Sequence, residues 1–328
     1  MKVVVTGGSG FLGQRLIRAL CERGRLTDAA GHARPIERIV GVDQGRCSEP
    51  VTDARIEYVT GDVADASFIA SVLGTDTDSV FHLAAVVSGA AERDFDLGMR
   101  VNLDGTRWLL EACRRQPHPP KLVFASSVAV FGQPLPEVVT DSTTPTPQGS
   151  YGVQKLIGEL LVGDCSRKGF ADGRCLRLPT IVVRPGKPNA AASSFASGIM
   201  REPLAGEEAI CPVEPSTGMW VSSPVTAVGA LLHAHELPAS AWGTLRSLNL
   251  PGLTATVGQM IEALRQAAGE AVAARVRFQP DESIAKIVRI WPARFDTARA
   301  RAMGFPQDAD FASILRDYMQ QYAPAAMR

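Results

Sequence analysis

Hydrophobic positions along the first half of the chain follow two alternating periods. Short apolar runs at Lys2–Thr6 (KVVVT), Arg38–Asp43 (RIVGVD), Ile56–Thr60, 80–85 (VFHLAA), 122–127 (LVFASS) and 174–183 read as buried strands. Between them lie stretches with helical spacing. In Phe11–Arg23 the residues Leu12, Leu16, Ile17 and Leu20 share one face, and longer helical patterns cover roughly 95–115 and 151–165. A polar insertion, 24–35, separates the first helix from the second strand. Strands alternating with helices predict right-handed βαβ units and a parallel sheet covered on both faces. Beyond residue 186 the pattern loosens. Residues 186–194 have the composition of a loop, and helices are expected over 195–201, Pro224–Glu236, 254–268 (with Thr254 or Thr256 as N-cap) and Phe311–Tyr322. The pattern predicts a doubly wound sheet with a smaller C-terminal portion covering its C-terminal edge.

Length and charge narrow the class. A chain of 328 residues can form one large domain or two modest ones. Lys+Arg and Asp+Glu both number 34, so the net charge is zero, which removes the electrostatic footprint of a nucleic-acid binder. No apolar run is long enough to span a bilayer, and residues 3–5 are too short for the apolar region of a signal peptide. Six cysteines without a C-x-x-C pair read as reduced thiols in a cytoplasmic protein. The five histidines form no ligand cluster, so no metal is expected.

The chemistry begins where the first strand ends. Gly7, Gly10 and Gly13 fall between a strand and a helix. Glycine is needed where φ is positive and where backbone must approach a ligand closely. Free N–H groups and the positive helix end then bind pyrophosphate. The next strand ends at Asp43, where an acid accepts hydrogen bonds from an adenosine ribose and repels a 2′-phosphate, so NAD is expected over NADP although Arg46 stands nearby. Asp62 and Val63 follow the third strand, placed to touch the adenine edge. Leu83, Ala84 and Ala85 end the fourth with small residues beside a cofactor, and His82 reads as a packed histidine.

A second constellation lies at Tyr151 and Lys155, four apart and on one helical face. A phenol with a pKa of roughly 10 must lose about 3 units, roughly 4 kcal/mol, to act as a base near neutrality. A neighbouring ammonium supplies that shift by favouring the phenolate. Ser126 and Ser127 end the fifth strand, where ligand groups gather in open α/β sheets.

These motifs, in this order, resemble the extended short-chain dehydrogenase/reductase family. The matching residues are 6–13, Asp62-Val63, 82–85, Val101-Asn102 with Gly105-Thr106, 124–127 with Val130-Phe131-Gly132, and Tyr151 to Lys155. The resemblance implies an α/β fold: a Rossmann-type, doubly wound NAD-binding domain over 1–178, with 222–250 returning to it. It implies a smaller α/β substrate-binding domain from 179–221 and 251–328. Tyr151 would be the general base, Lys155 its pKa modulator and ribose ligand, and Ser127 or Ser126 the hydroxyl donor to substrate. Asn102 is similar to the family asparagine that fixes a helix kink near the cofactor. Ser9, Phe11 and Leu12 complete the phosphate turn. Pro179, Thr180 and Val182 would approach the nicotinamide. The family usually pairs subunits through its two long helices, so a homodimer is expected.

Departures from the family patterns point to a branch. Val128-Ala129 stand where sugar-nucleotide dehydratases place an acidic pair. Residues 180–185 read TIVVRP rather than an epimerase-like N-V-Y-G-P, and 220–224 read WVSSP without the usual acid and histidine. What remains is a pocket of Arg184, Lys187, Asn189, Ser193, Ser194 and Ser222, which suits a small polyhydroxy carboxylate. Residues 151–157, 177–186 and 189–195 resemble the D-erythronate dehydrogenase branch, often labelled as generic nucleoside-diphosphate-sugar epimerases. That resemblance implies NAD-dependent oxidation of the C2 hydroxyl of a small sugar acid. Tyr151 would take the proton, Ser127 would orient the alcohol, and Arg184 or Lys187 would grip the carboxylate, with Asn189 and Ser194 beside them. A nucleoside-diphosphate-sugar 4-epimerase with tightly bound NAD is the alternative. A non-catalytic nucleotide sensor is disfavoured because Tyr151 and Lys155 are both present.

Overall fold

The structure, a computed structural model, describes residues 1–188 and 191–322. The chain runs β1 (Lys2–Thr6), α1 (Phe11–Arg23), β2 (Arg25–Thr27), β3 (Ala33–Pro35), β4 (Arg38–Asp43), β5 (Ile56–Thr60), α2 (Ala66–Leu73) and β6 (Thr77–His82). It continues through α3 (Ser88–Arg93), α4 (Phe95–Gly98), a π-helical turn (Met99–Asp104), α5 (Gly105–Arg114), β7 (Lys121–Ser127), α6 (Ser150–Arg167) and β8 (Asp172–Leu178). Then come β9 (Thr180–Ile181), α7 (Ser194–Leu204), β10 (Ala209–Cys211), β11 (Gly218–Ser222), α8 (Pro224–Glu236), α9 (Ala239–Trp242) and β12 (Ser247–Asn249). The described chain closes with β13 (Leu253–Thr256), α10 (Val257–Ala268), α11 (Glu270–Ala273), β14 (Val276–Phe278), α12 (Glu282–Arg289), α13 (Ala298–Ala302) and α14 (Phe311–Tyr322).

Two compact units emerge. The first comprises Met1–Val130, Ser150–Arg177 and Val228–Leu248. It holds a seven-stranded sheet in the order β12-β8-β7-β6-β1-β4-β5, with β1 parallel to both β4 and β6. Strand β1 is buried at all five positions, as a central parallel strand covered on both faces must be. The chain leaves β1 in one direction to β4 and β5, then crosses back to β6. The crevice beyond the C-terminal ends of β1 and β6 is therefore the topological switch point, where open α/β sheets bind ligands. Helix α1 buries Leu16, Ile17 and Leu20 and stops at Gly24, whose φ of 66° suits glycine and whose N–H caps Leu20 O. The polar insertion forms an antiparallel hairpin, β2–β3, which lengthens the path to Asp43 without disturbing the sheet.

The second unit comprises Phe131–Gly149, Leu178–Ala227 and Asn249–Arg328. It contains a three-stranded sheet, β13-β11-β9, and a parallel pair, β10-β14. Its core gathers Ile199, Met200, Met260, Leu264 and Leu315. Residues 131–149 belong here, whereas the sequence reading ran the first domain unbroken to 178. The expected strand over 174–183 is broken at Pro179, and its second piece pairs with β11. Residues Leu253–Thr256 form a strand before helix α10. Thr256, not Thr254, is the N-cap, in a reciprocal capping box with Gln259. Among the described residues no helix is long and apolar enough to cross a membrane, and no cluster of three acids, histidines or cysteines could hold a metal ion.

Candidate active site

The glycine turn is built so that no side chain intrudes. Gly7 has φ +72°, and a Cβ there would meet Ala84 N at 2.9 Å; a Cβ on Gly13 would lie 2.1 Å from Gly7 O. Gly10, the N-cap of α1, offers no side-chain hydrogen bond, and the first helical turn has no acid. The leading N–H groups of α1 therefore keep their positive potential, which fits a dinucleotide pyrophosphate. Phe11 and Leu12 start the helix. Asp43 closes over the turn: its Oδ2 accepts from Ser9 N–H at 3.0 Å and its Oδ1 from Gln44 N–H at 2.8 Å. Asp62 accepts from Ala64 N–H and from Arg100 Nη1, while Val63 is buried. Leu83 N–H bonds Thr6 O at 3.1 Å, which brings the backbone of Leu83, Ala84 and Ala85 alongside Gly7.

Beneath the turn runs a buried hydrogen-bond chain, and its proton positions follow from its ends. Ala84 N–H donates to Thr6 Oγ1 at 3.3 Å, and Thr6 Oγ1 lies 2.6 Å from His82 Nδ1. Thr106 O–H donates to Asn102 O at 2.7 Å, so Thr106 accepts from His82 Nε2–H at 3.1 Å. His82 is thus a neutral, Nε2-protonated ring, and Thr6 donates to its Nδ1. Burial pushes His82 down to about 3, and burial pushes His235 down to about 4. In the unfolded chain both titrate near 6.5. Their stabilising contribution is therefore whole above that value and is lost as pH falls toward 4 and 3. Thermal melts are expected to drop steeply between pH 6 and 4, with a shallower slope for His82→Gln; an unchanged slope would count against this assignment.

The catalytic pair sits on α6. Gly158, one turn on from Gln154, lets the helix lie against β7: a Cβ there would be 2.7 Å from Phe124 Cζ. Lys155, 2% exposed, donates to Ala125 O at 2.9 Å, with its ammonium 4.8 Å from the Phe124 ring and 5.8 Å from the Tyr151 ring. Burial lowers it to about 8, so it still carries its proton near neutrality. Tyr151 is part-exposed at the start of α6. Ser127 is part-exposed at the end of β7, and its Oγ accepts from Ala129 N–H at 3.1 Å.

Several expected contacts are placed elsewhere. Ser126 faces the core, where its hydroxyl donates to Glu159 Oε1 at 2.5 Å; Glu159 in turn holds Arg177 through both oxygens. Strand alternation puts Ser126 on the face of β7 that carries Phe124, against which α6 packs, and Ser127 on the opposite face at the strand's end. Asn102, expected to fix a helix kink near the cofactor, is buried in the π-helical turn, and its amide binds the backbone of Val86. Val182, expected at the cofactor, is 0% exposed in the core of the second unit, so it has no open face. Pro179 is also buried, and Thr180 is part-exposed.

In the second unit Arg184 reaches Ser193 Oγ at 3.4 Å, its N–H donates to Ser197 Oγ, and Arg201 Nη1 donates to its carbonyl. Lys187 is exposed, and Asn189 lies outside the described residues. Ser194 opens instead into a cavity of about 720 Å³. Among the described residues that cavity is lined by Glu202, Glu208, Asp281 and Glu282 but no lysine or arginine, which does not suit a carboxylate. Ser222 is buried and donates to Asp308. Asp308 was not foreseen. It also accepts from Ser223 N–H and Thr226 O–H and so caps the start of α8, a partnership spanning more than 80 residues that no local pattern signals.

A profile of the NAD dependent epimerase/dehydratase family matches residues 3–218. Over 320 residues the chain is 55% identical to the D-erythronate dehydrogenase of Cupriavidus necator, covering 98% of each sequence. It is 44% identical to that of Haemophilus influenzae over 98% of this chain and 99% of the other. A crystal structure described as a nucleoside-diphosphate-sugar epimerase from Agrobacterium tumefaciens superposes with a TM-score of 0.91 at 42% identity, over 98% of this chain and 94% of that one. The chain belongs to the NAD-dependent epimerase/dehydratase family, whose members work on CH–OH groups with a nicotinamide cofactor, and falls in the branch that holds the D-erythronate dehydrogenases.

Proposed function

We propose that the chain is an NAD-dependent dehydrogenase that oxidises the C2 hydroxyl of a small, D-erythronate-like sugar acid to the 2-keto acid. The observation that carries this reading is a buried Lys155 ammonium one helical turn beyond Tyr151, in a chain 55% identical to a curated D-erythronate dehydrogenase. Gly7, Gly10 and Gly13 would hold the pyrophosphate, and Asp43 favours NAD because its carboxylate suits ribose hydroxyls and repels a 2′-phosphate. Bound nicotinamide supplies the acceptor for the hydride that leaves C2.

The residues do the rest. Tyr151 takes the hydroxyl proton onto its phenolate oxygen. Lys155 favours that phenolate, and its single hydrogen bond to Ala125 O leaves two ammonium protons for ribose and phenol. Ser127 keeps its hydroxyl proton to orient the alcohol, because its oxygen already accepts from Ala129. Arg184, with Ser193 beside it, grips the carboxylate, and Lys187 adds a second cation.

The test is a screen of NAD reduction over four- to six-carbon aldonic acids with Tyr151→Phe as control. Reduced cofactor with none of them would sink the reading. A nucleoside-diphosphate-sugar 4-epimerase with tightly held NAD is favoured by the likeness to the Agrobacterium structure. Such an enzyme reoxidises its cofactor each turnover and would not accumulate the reduced form.

A homodimer is part of the proposal. Val153 and Leu160 lie seven apart on one face of α6 at 40% and 66% exposure, and Phe95 on α4 is 57% exposed. Leu160→Glu is expected to yield monomers in sedimentation, with the melting temperature of the fold little changed. The six free cysteines suit a reducing, cytoplasmic setting.

A further inference from the structure

Between Tyr151 and Lys155 stands a residue that the proton-transfer chemistry does not use. Gln154 is 0% exposed, a long amide at a fully buried helical position. Its room is made by Gly98: a Cβ there would come within 2.6 Å of Gln154 Nε2 and 3.1 Å of Oε1. Gln154 Oε1 accepts from Asn102 Nδ2 at 2.7 Å, whereas its own Nε2 is buried without a hydrogen-bond partner. An unmade hydrogen bond in a dry site is a cost. A chain that keeps such a residue where Leu or Met would fit gains something other than stability.

The gain lies in what Gln154 does to Asn102. The Asn102 amide meets Val86 from both sides, accepting from its N–H at 2.8 Å and donating to its carbonyl at 3.0 Å. That pairing requires Oδ1 toward the Val86 N–H. The Gln154 carbonyl enforces it, because Nδ2 has acceptors on Gln154 and on Val86 O together. Val86 directly follows Leu83, Ala84 and Ala85, the segment beside the glycine turn. Asn102 is also joined through Thr106 to His82 at the end of β6. Gln154 therefore ties the helix that carries Tyr151 and Lys155 to the strand end that lines the cofactor crevice.

We propose that Gln154 is a positioning residue. It latches α6 to the segment after β6 through Asn102 and so sets the phenol and ammonium against the dinucleotide groove, at the expense of one unpaired buried amide. This rests on the dehydrogenase reading given above. It is tested with Gln154→Met, which keeps volume and removes both the latch and the orphaned donor. Gln154→Glu, whose carboxyl burial keeps protonated at this position, serves as the conservative variant that keeps a carbonyl acceptor for Asn102.

For Gln154→Met the expected result is an unchanged or higher melting temperature, with kcat about ten- to a hundredfold lower. The midpoint of the kcat/KM pH profile should also move, and Gln154→Glu should recover most of the loss. A fall in melting temperature together with activity, at an unmoved midpoint, would assign Gln154 to packing and overturn the latch, as would an unchanged kcat. If the wild-type protein itself reduces NAD with no aldonic acid, the functional reading fails separately. The latch is then decided by calorimetric titration with NAD: several-fold weaker binding to Gln154→Met upholds it and equal binding overturns it.

Discussion

Tyr151→Phe is expected to lower kcat by about 10²–10⁴-fold, the usual worth of a positioned general base. The variant should keep its melting temperature and its affinity for NAD. Phenylalanine preserves the ring that lies 5.8 Å from the Lys155 ammonium, so the cation–π contact and the helix face survive while the proton acceptor is lost. Lys155→Met makes a sharper comparison. It removes the charge that favours phenolate and a bond to Ala125 O, from a site where burial has already lowered the ammonium to about 8. Both activity and NAD affinity should fall, since this amine is proposed to serve phenol and ribose together. Steady-state kinetics paired with calorimetry separates the two variants. Substantial activity remaining in Tyr151→Phe would remove the phenol from the mechanism.

The largest stability effect is expected one turn further along α6. Glu159 and Arg177 are 3% and 8% exposed, joined at 2.8 Å with further bonds from Arg177 Nε to both carboxylate oxygens. Breaking such a pair strands a charge in a low-dielectric interior, which costs about 3–5 kcal/mol. Glu159→Ala or Arg177→Ala should therefore shift the urea midpoint far down and leave little folded protein at 37 °C. The double change Glu159→Leu with Arg177→Met should recover most of that loss, because both desolvation costs disappear together. Ser126→Ala, which removes one donor to Glu159, should cost about 1 kcal/mol. Equal and additive losses from the two single changes would show that the pair is not coupled.

How much of this was legible in the sequence depends on the range of the interaction. The glycine turn, the strand ending at Asp43 and the Tyr151–Lys155 helix face are local patterns, so the residues alone carried them. Ser126 and Ser127 could not be told apart, since alternation puts them on opposite faces of a strand buried on both, and the Ser126 hydroxyl's partner Glu159 lies 33 residues away. The break at Pro179 was visible as a residue without an N–H, but only pairing with β11 explains why the chain turns there. Residues 131–149 and Asp308 went unread because their partners lie far away in sequence: Val139 bonds to residues 294 and 296, and Asp308 to 222–226. Gln154 was hidden differently. Its burial follows from a glycine at 98 that has no motif of its own.

The clasp formed by Asp308 limits how far this chain can be trimmed. One carboxylate near the end of the second unit takes up two hydroxyls and a backbone N–H at the start of α8. Shortening the tail past that residue would leave the buried Ser222 hydroxyl and Ser223 N–H without their acceptor and open the first turn of a helix laid down eighty residues earlier. The C-terminal segment is therefore a structural fastener, and any minimal version of the enzyme has to carry it.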